Sequence, residues 1–226
     1  MEVNLVYGAC AVMVASLFAL GAQAAPLNPE LRPIQDVPGL PRLLIIGDSI
    51  SMGYTLPVRE LLKDKINVHR IPENGGPTTR GIQQMDKWLG DGKWDVITFN
   101  FGLHDLKIMD NGLQQVPPED YEKNLRTIVA KLKATGAKLI WVTTTPVPEG
   151  ELNPPRRFYD AVKYNEIAAR VMKDNGITIL DLYAFALPRL AQLQKPHDVH
   201  FTPEGYKALA EQVTAAVLAA LNPPGP

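Results

Sequence analysis

Five short apolar runs recur along the chain, at residues 42–46, 67–71, 94–99, 137–143 and 177–180. None alternates strictly between apolar and polar, so each reads as a strand buried on both faces, as parallel strands are. Between them lie stretches with helical spacing of apolar positions, at 57–64, 79–89, 118–134 and 158–174, and a short one near 184–193. A last helix is expected from about 203 to 221, where Thr202-Pro203-Glu204 offers an N-cap followed by proline at the first helical position. Gly136 and Gly176 stand where a C-terminal glycine ends a helix. Strand–helix alternation of this kind predicts an α/β fold, a three-layer α/β/α sandwich around a five-stranded parallel sheet. There is no internal repeat and no linker. In such sheets ligands bind outside the carboxyl ends of the strands, and every chemistry-bearing motif below falls at such an end.

Composition adds limits. A chain of 226 residues, with 46% apolar and 21% charged side chains, is long enough for one soluble domain with a core of its own. The segment 3–20 is almost wholly apolar or small and leads into Gly21-Ala22-Gln23-Ala24-Ala25. Ala22-Gln23-Ala24 is a small-x-small cleavage pattern, so residues 1–24 read as a secretory signal peptide and 25–226 as the mature domain. The usual positive end is missing, since Glu2 is the only charge there, and an uncut membrane anchor is the other reading. The short apolar stretch favours cleavage over a stable span of ~20 residues. A secreted or periplasmic protein without stable membrane association follows. Removal of the leader takes away Glu2 and leaves 23 basic against 23 acidic side chains, a balance that gives no reason to expect a nucleic-acid partner. Cys10 is the single cysteine and lies in the leader, which excludes disulfides and thiol catalysis in the mature chain.

Four blocks carry candidate chemistry. Gly47-Asp48-Ser49 closes the first run, and Ser49 stands at the start of the next helical turn, either as a nucleophile or as a plain N-cap. The pattern is not Gly-x-Ser-x-Gly, because Ser51 takes the last place. Asn74-Gly75-Gly76-Pro77-Thr78-Thr79 follows the second run, and its paired glycines leave backbone N–H groups open to an oxyanion or form only a turn. Asn100-Phe101-Gly102-Leu103-His104-Asp105 follows the third and sets an imidazole beside the first strand. Asp198-Val199-His200-Phe201-Thr202 places a histidine just before the last helix. His197 beside it completes His-x-x-His, but no carboxylate motif accompanies the pair, and no metal or other cofactor is expected.

Together, in block order and strand–helix order over roughly residues 42–221, these motifs resemble the SGNH/GDSL hydrolase superfamily. The resemblance implies a flavodoxin-like fold and acyl hydrolysis. By position, Ser49 is then the nucleophile, His200 the general base, and the backbone N–H groups of Ser49 and Gly76 are oxyanion donors. Two departures stand out. His104 replaces the family's third-block asparagine, a side-chain oxyanion donor, and an imidazole N–H can take that role. The family's acid stands three residues before the histidine, where this chain has His197; its carboxylate is Asp198, two before. Either Asp198 reaches His200 and completes a triad, or a backbone carbonyl holds the histidine and the enzyme works as a dyad. Asp48 is expected to fix the turn around Ser49, and Asp105 to brace its own loop. Arg80, Arg156 and Arg157 could line a pocket for an acidic substrate but read first as solvated surface, and Trp88, Trp94 and Trp141 are expected in the core. The expected function is a serine esterase removing short acyl groups, acetyl foremost, from a small-molecule or carbohydrate ester. Lipid, aryl or thioester hydrolysis on the same fold remains open, as does a non-catalytic carbohydrate-binding module.

Overall fold

The computed structural model describes Met1 and residues 28–222. The expected leader, residues 1–24, lies outside the described residues apart from Met1, as does most of the proline-rich tail. Five strands form one sheet: β1 Arg42–Ile46, β2 Asn67–Arg70, β3 Val96–Phe99, β4 Lys138–Val142 and β5 Thr178–Leu180. Their order is β2-β1-β3-β4-β5 and all four pairings are parallel. This is the doubly wound order whose direction reverses at β1, where a crevice opens at the carboxyl edge. The expected three-layer sandwich is therefore the fold observed; β1 spans the expected residues, and the other four strands are shorter than expected by a residue or two.

The helices are α1 Ser49–Leu61, α2 Thr78–Leu89, α3 Pro118–Ala134, α4 Asp160–Asp174, α5 Leu182–Ala186, α6 Leu190–Leu193 and α7 Pro203–Leu221. α1 packs on α7, and α2, α3 and α4 pack in a row. β1 and β3 are apolar and buried almost throughout because helices cover both faces. Trp141 is fully buried and meets Phe99 edge-on at 5.2 Å, Trp88 is buried, and Trp94 packs against the core edge. All three tryptophans are structural, as expected.

Two helical expectations are corrected. The first helix begins at Ser49, not at residue 57, so Pro57 lies inside it. The residue four back, whose carbonyl receives no N–H from Pro57, is Gly53, which lies against α7. A Cβ on Gly53 would lie 2.1 Å from Cε1 of Tyr206. The stretch 184–193 is also not one helix: α5 and α6 are separated by a 3₁₀ turn at Leu187–Arg189, where Pro188 supplies no N–H. Among the described residues no helix is long and apolar enough to cross a membrane.

Candidate active site

The turn after β1 is built before any catalytic geometry is added. Asp48 is the N-cap of α1: its buried carboxylate accepts the Ile50 N–H at 2.9 Å. Ser49 is thereby the first residue of the helix, and its N–H has no acceptor among the described residues. A free N–H at a helix N-terminus favours negative charge. Arg70, at the end of β2, braces the turn from behind. It donates to the Ser51 hydroxyl at 2.7 Å and to the carbonyls of Gly47 and Glu73 at 3.0 and 3.1 Å. Burial pushes its guanidinium down to about 10, still a cation at neutral pH.

The loop before α7 brings His200 to this turn. Its Nε2 lies 2.8 Å from the Ser49 Oγ, and its Nδ1 lies 2.7 Å from Oδ1 of Asp198. The same Oδ1 accepts the backbone N–H of His200 at 3.1 Å. A carboxylate can only accept, so Nδ1 carries the hydrogen and Nε2 faces the serine with its lone pair. Burial pushes the Asp198 carboxyl up, but the two hydrogen bonds from His200 and the charges of His200 and Lys195 outweigh it and hold the group below its ordinary range. The position filled by His197 is taken up by backbone: His197 is left-handed at φ +53, and its turn lets Asp198 face the ring. A bond from the Lys195 N–H to the His200 carbonyl at 2.9 Å and a bridge between Gln194 and Phe201 close the loop. Thr202 caps α7 as expected, accepting the Gly205 N–H at 3.0 Å.

The second block presses on the first. The Gly75 N–H donates to the Gly47 carbonyl at 2.9 Å, and a Cβ on Gly75 would sit equally close to that oxygen. Gly76 is left-handed at φ +61, and its N–H donates to Oδ1 of Asn74 at 2.9 Å. Gly76 can serve an oxyanion only by sharing or releasing that acceptor. In the third block Gly102, at φ +144, lies where a Cβ would meet the Thr144 hydroxyl at 2.3 Å. Asp105 braces this loop as expected, its buried Oδ1 accepting the Thr78 N–H at the start of α2 at 2.8 Å. Between them His104 is left half-buried. Burial pushes its ring down to about 4; the Asp48 carboxylate opposes this, and Lys107, Arg156 and His200 add to it. His104 is therefore neutral at pH 7, and its Nδ1 lies 3.0 Å from the Lys107 ammonium.

Ser49, His104, Asp198 and His200 line one cleft of about 820 Å³. Gly76 lines an adjoining hollow that also reaches His104. The structure thus brings the sequence-expected residues into one neighbourhood. Arg156 corrects an expectation: it is half-buried in the cleft wall, where its Nε donates to the Leu103 carbonyl at 2.9 Å. Arg80 pairs with Glu73, and Arg157 is exposed. Sequence reasoning gave no role to Asn74, Lys107 or Arg70. Asn74 had a signal in its place ahead of two glycines, a common start for a side-chain-closed turn. Lys107 had one in its spacing three residues after His104. Arg70 had none, since its reach behind the turn depends on β2 lying beside β1.

This arrangement can take a proton from a serine, hold the resulting imidazolium against a carboxylate, and offer N–H groups beside the attacked carbon. The model of the GDSL-like lipase/acylhydrolase family matches residues 45–208. An arylesterase of Vibrio mimicus is 22% identical over 183 residues, covering 76% of this chain and 86% of that protein. The crystal structure of the acetyl xylan esterase AlAXEase superposes with a TM-score of 0.67 at 20% identity, over 78% of this chain and 99% of that one. A lipase/acylhydrolase from Enterococcus faecalis gives 0.68 at 19% identity, over 79% and 95%.

Proposed function

The chain belongs to the GDSL-like lipase/acylhydrolase family and is a carboxylic ester hydrolase, and from there we propose that it cleaves short acyl esters, acetyl foremost, on carbohydrate alcohols through Ser49, His200 and Asp198. The observation that carries this reading is the unbroken line from the Ser49 hydroxyl through the His200 ring to Asp198, opening on the cleft. His200 Nε2 takes the Ser49 proton as Oγ bonds to the acyl carbon. The carbonyl oxygen becomes an oxyanion held by the N–H groups of Ser49 and Gly76 and by the His104 ring. The C–O bond then breaks, and the leaving alcohol takes the proton from His200. Water attacks the acyl-enzyme with His200 again as base, and the carboxylic acid departs. Asp198 keeps the imidazole oriented and stabilises its cationic form.

The wall of the cleft favours a polar alcohol. Asn74, Asn153 and Arg156 line it beside Leu152, Pro154, Pro196 and Val199, a mixed wall without the long apolar trough that a long acyl chain needs. The acetyl xylan esterase likeness points the same way. The arylesterase relative favours a second reading, an aromatic alcohol. The leader reading, residues 1–24, places the reaction outside the cytoplasm; amino-terminal sequencing of the mature protein tests it. The mechanism is tested with a serine-directed phosphonate and with Ser49→Ala. We expect labelling of Ser49 alone and loss of nearly all turnover in a folded variant. Labelling elsewhere, or normal rates in Ser49→Ala, would remove the mechanism. p-Nitrophenyl esters of rising chain length, set beside phenyl acetate and acetylated xylo-oligosaccharides, decide acyl size and alcohol class.

A further inference from the structure

The third block departs from the family at His104, and an imidazole replaces an asparagine amide only under a condition. An amide always has a donor at its nitrogen, whereas a neutral imidazole has one hydrogen for two nitrogens. If that hydrogen sat on the wrong nitrogen, a lone pair would face the oxyanion and repel it. The condition is met by a neighbour. Lys107 Nζ lies 3.0 Å from His104 Nδ1. An ammonium group can only donate, so Nδ1 is the acceptor and the ring hydrogen is left on Nε2. That nitrogen has no acceptor among the described residues. The ring belongs to the wall of the cleft that also holds Ser49 and His200.

We propose that Lys107 is a positioning residue that keeps the hydrogen of His104 on Nε2, where it donates to the acyl oxygen, so that a lysine–imidazole pair does the work of the family's asparagine. The proposal rests on the esterase reading above and deepens it. Further observations support it. Lys107 has no carboxylate partner among the described residues, so its hydrogen bond to the ring is not a by-product of an ion pair. The groups facing the ring are Asp48, Lys107, Arg156 and His200, and burial with the three basic neighbours keeps it from becoming imidazolium. Burial and Arg156 also lower the Lys107 ammonium, with Asp48 opposing.

A double-mutant cycle with nitrogen NMR tests the proposal. Lys107→Met is made in the natural chain and in His104→Asn, with kcat and KM read on p-nitrophenyl acetate. One oxyanion donor is worth roughly a hundredfold or more in kcat. In the natural chain we expect Lys107→Met to cost a sizeable part of that, roughly tenfold, with little change in KM. Lys107→Arg should restore most of it, since it keeps a cationic donor. In His104→Asn, which needs no tautomer, Lys107→Met should change kcat less than about twofold, the non-additivity of residues that act as one unit. The ring signals of His104, assigned by their loss in His104→Asn, should show hydrogen on Nε2 in the natural chain and a mixture in Lys107→Met. Equal losses in both backgrounds, or hydrogen on Nδ1 in the natural chain, would overturn the proposal. If Lys107→Met does not fold, the tautomer of the natural chain and the Lys107→Arg rates still decide. Ser49→Ala that remains active would instead defeat the esterase mechanism, and the tautomer would still be read.

Discussion

Asp198 reaches the ring of His200 from two positions away because His197 turns the chain left-handed at φ +53. The carboxylate then accepts twice on one oxygen, from the ring and from the backbone N–H of the same residue. A carbonyl could accept the ring N–H but could not balance an imidazolium, so we propose the triad rather than the dyad. We expect Asp198→Asn to lower kcat by orders of magnitude, because an amide there can stabilise the wrong tautomer and cannot balance an imidazolium. His197→Ala should cost well under tenfold, since His197 is exposed and makes no bond to His200. Steady-state kinetics on both variants, with folding checked by circular dichroism, decides. A mild loss in Asp198→Asn beside a severe one in His197→Ala would reverse the assignment.

Among the elements, α1 and α7 carry the two halves of the site. Ser49 opens α1, and His200 stands just ahead of α7. The helices meet where Gly53 lies against the ring of Tyr206, so their spacing sets the distance from serine to histidine. Gly53→Ala would drive a Cβ into that ring, and overpacking of this kind costs on the order of 1–3 kcal/mol. We expect lower stability in urea and, because the helices must part, a fall in kcat beyond the fraction unfolded. Normal kcat in a destabilised Gly53→Ala would show that the site does not depend on this contact. The same glycine explains Pro57: a helix with its first residue at the catalytic turn and its flank pressed on α7 is held by packing despite a proline inside it.

For the molecule as a whole, two groups of the third block, buried Asp105 and half-buried His104, pull stability in opposite directions with pH. Burial pushes the Asp105 carboxyl up to about 7; its bonds from Thr78 pull it down, and Asp48 adds to the rise. An unfolded carboxyl titrates near about 3.9. Between those values the folded chain keeps a proton the unfolded chain has lost, so this group makes stability fall as pH rises. His104 has the reverse sign. Its folded ring titrates at about 4, against about 6.5 when unfolded. In that window the unfolded chain holds the extra proton, and stability rises with pH. Asp105→Asn should therefore make stability climb more steeply between about pH 4 and about pH 7, and His104→Asn should flatten or reverse the climb. Urea unfolding at several pH values reads both slopes. A profile unchanged in either variant would falsify the corresponding assignment.

Much of this was legible in residue order alone. Apolar runs that do not alternate read as strands covered on both sides, and five of them separated by helical patterns predicted the three-layer sheet; β5, at the sheet edge, departs from that reading, with Thr178 and Ile179 exposed. Gly47-Asp48-Ser49 and the block around His200 named their residues because tight turns and helix starts are local, and local sterics are written in the sequence. Tertiary structure decided whatever depends on two distant segments. That Asp198 lies 2.7 Å from the ring of His200 goes with a left-handed His197 that no spacing rule marks. The start of the first helix, at Ser49 rather than 57, is set by the Asp48 carboxylate capping the Ile50 N–H, which periodicity does not report. Arg156 was placed on the surface because a lone arginine looks solvated until the third block lies beside it. Periodicity reports only which face of an element is apolar; which side chains meet across a cleft is set by the order and twist of the sheet.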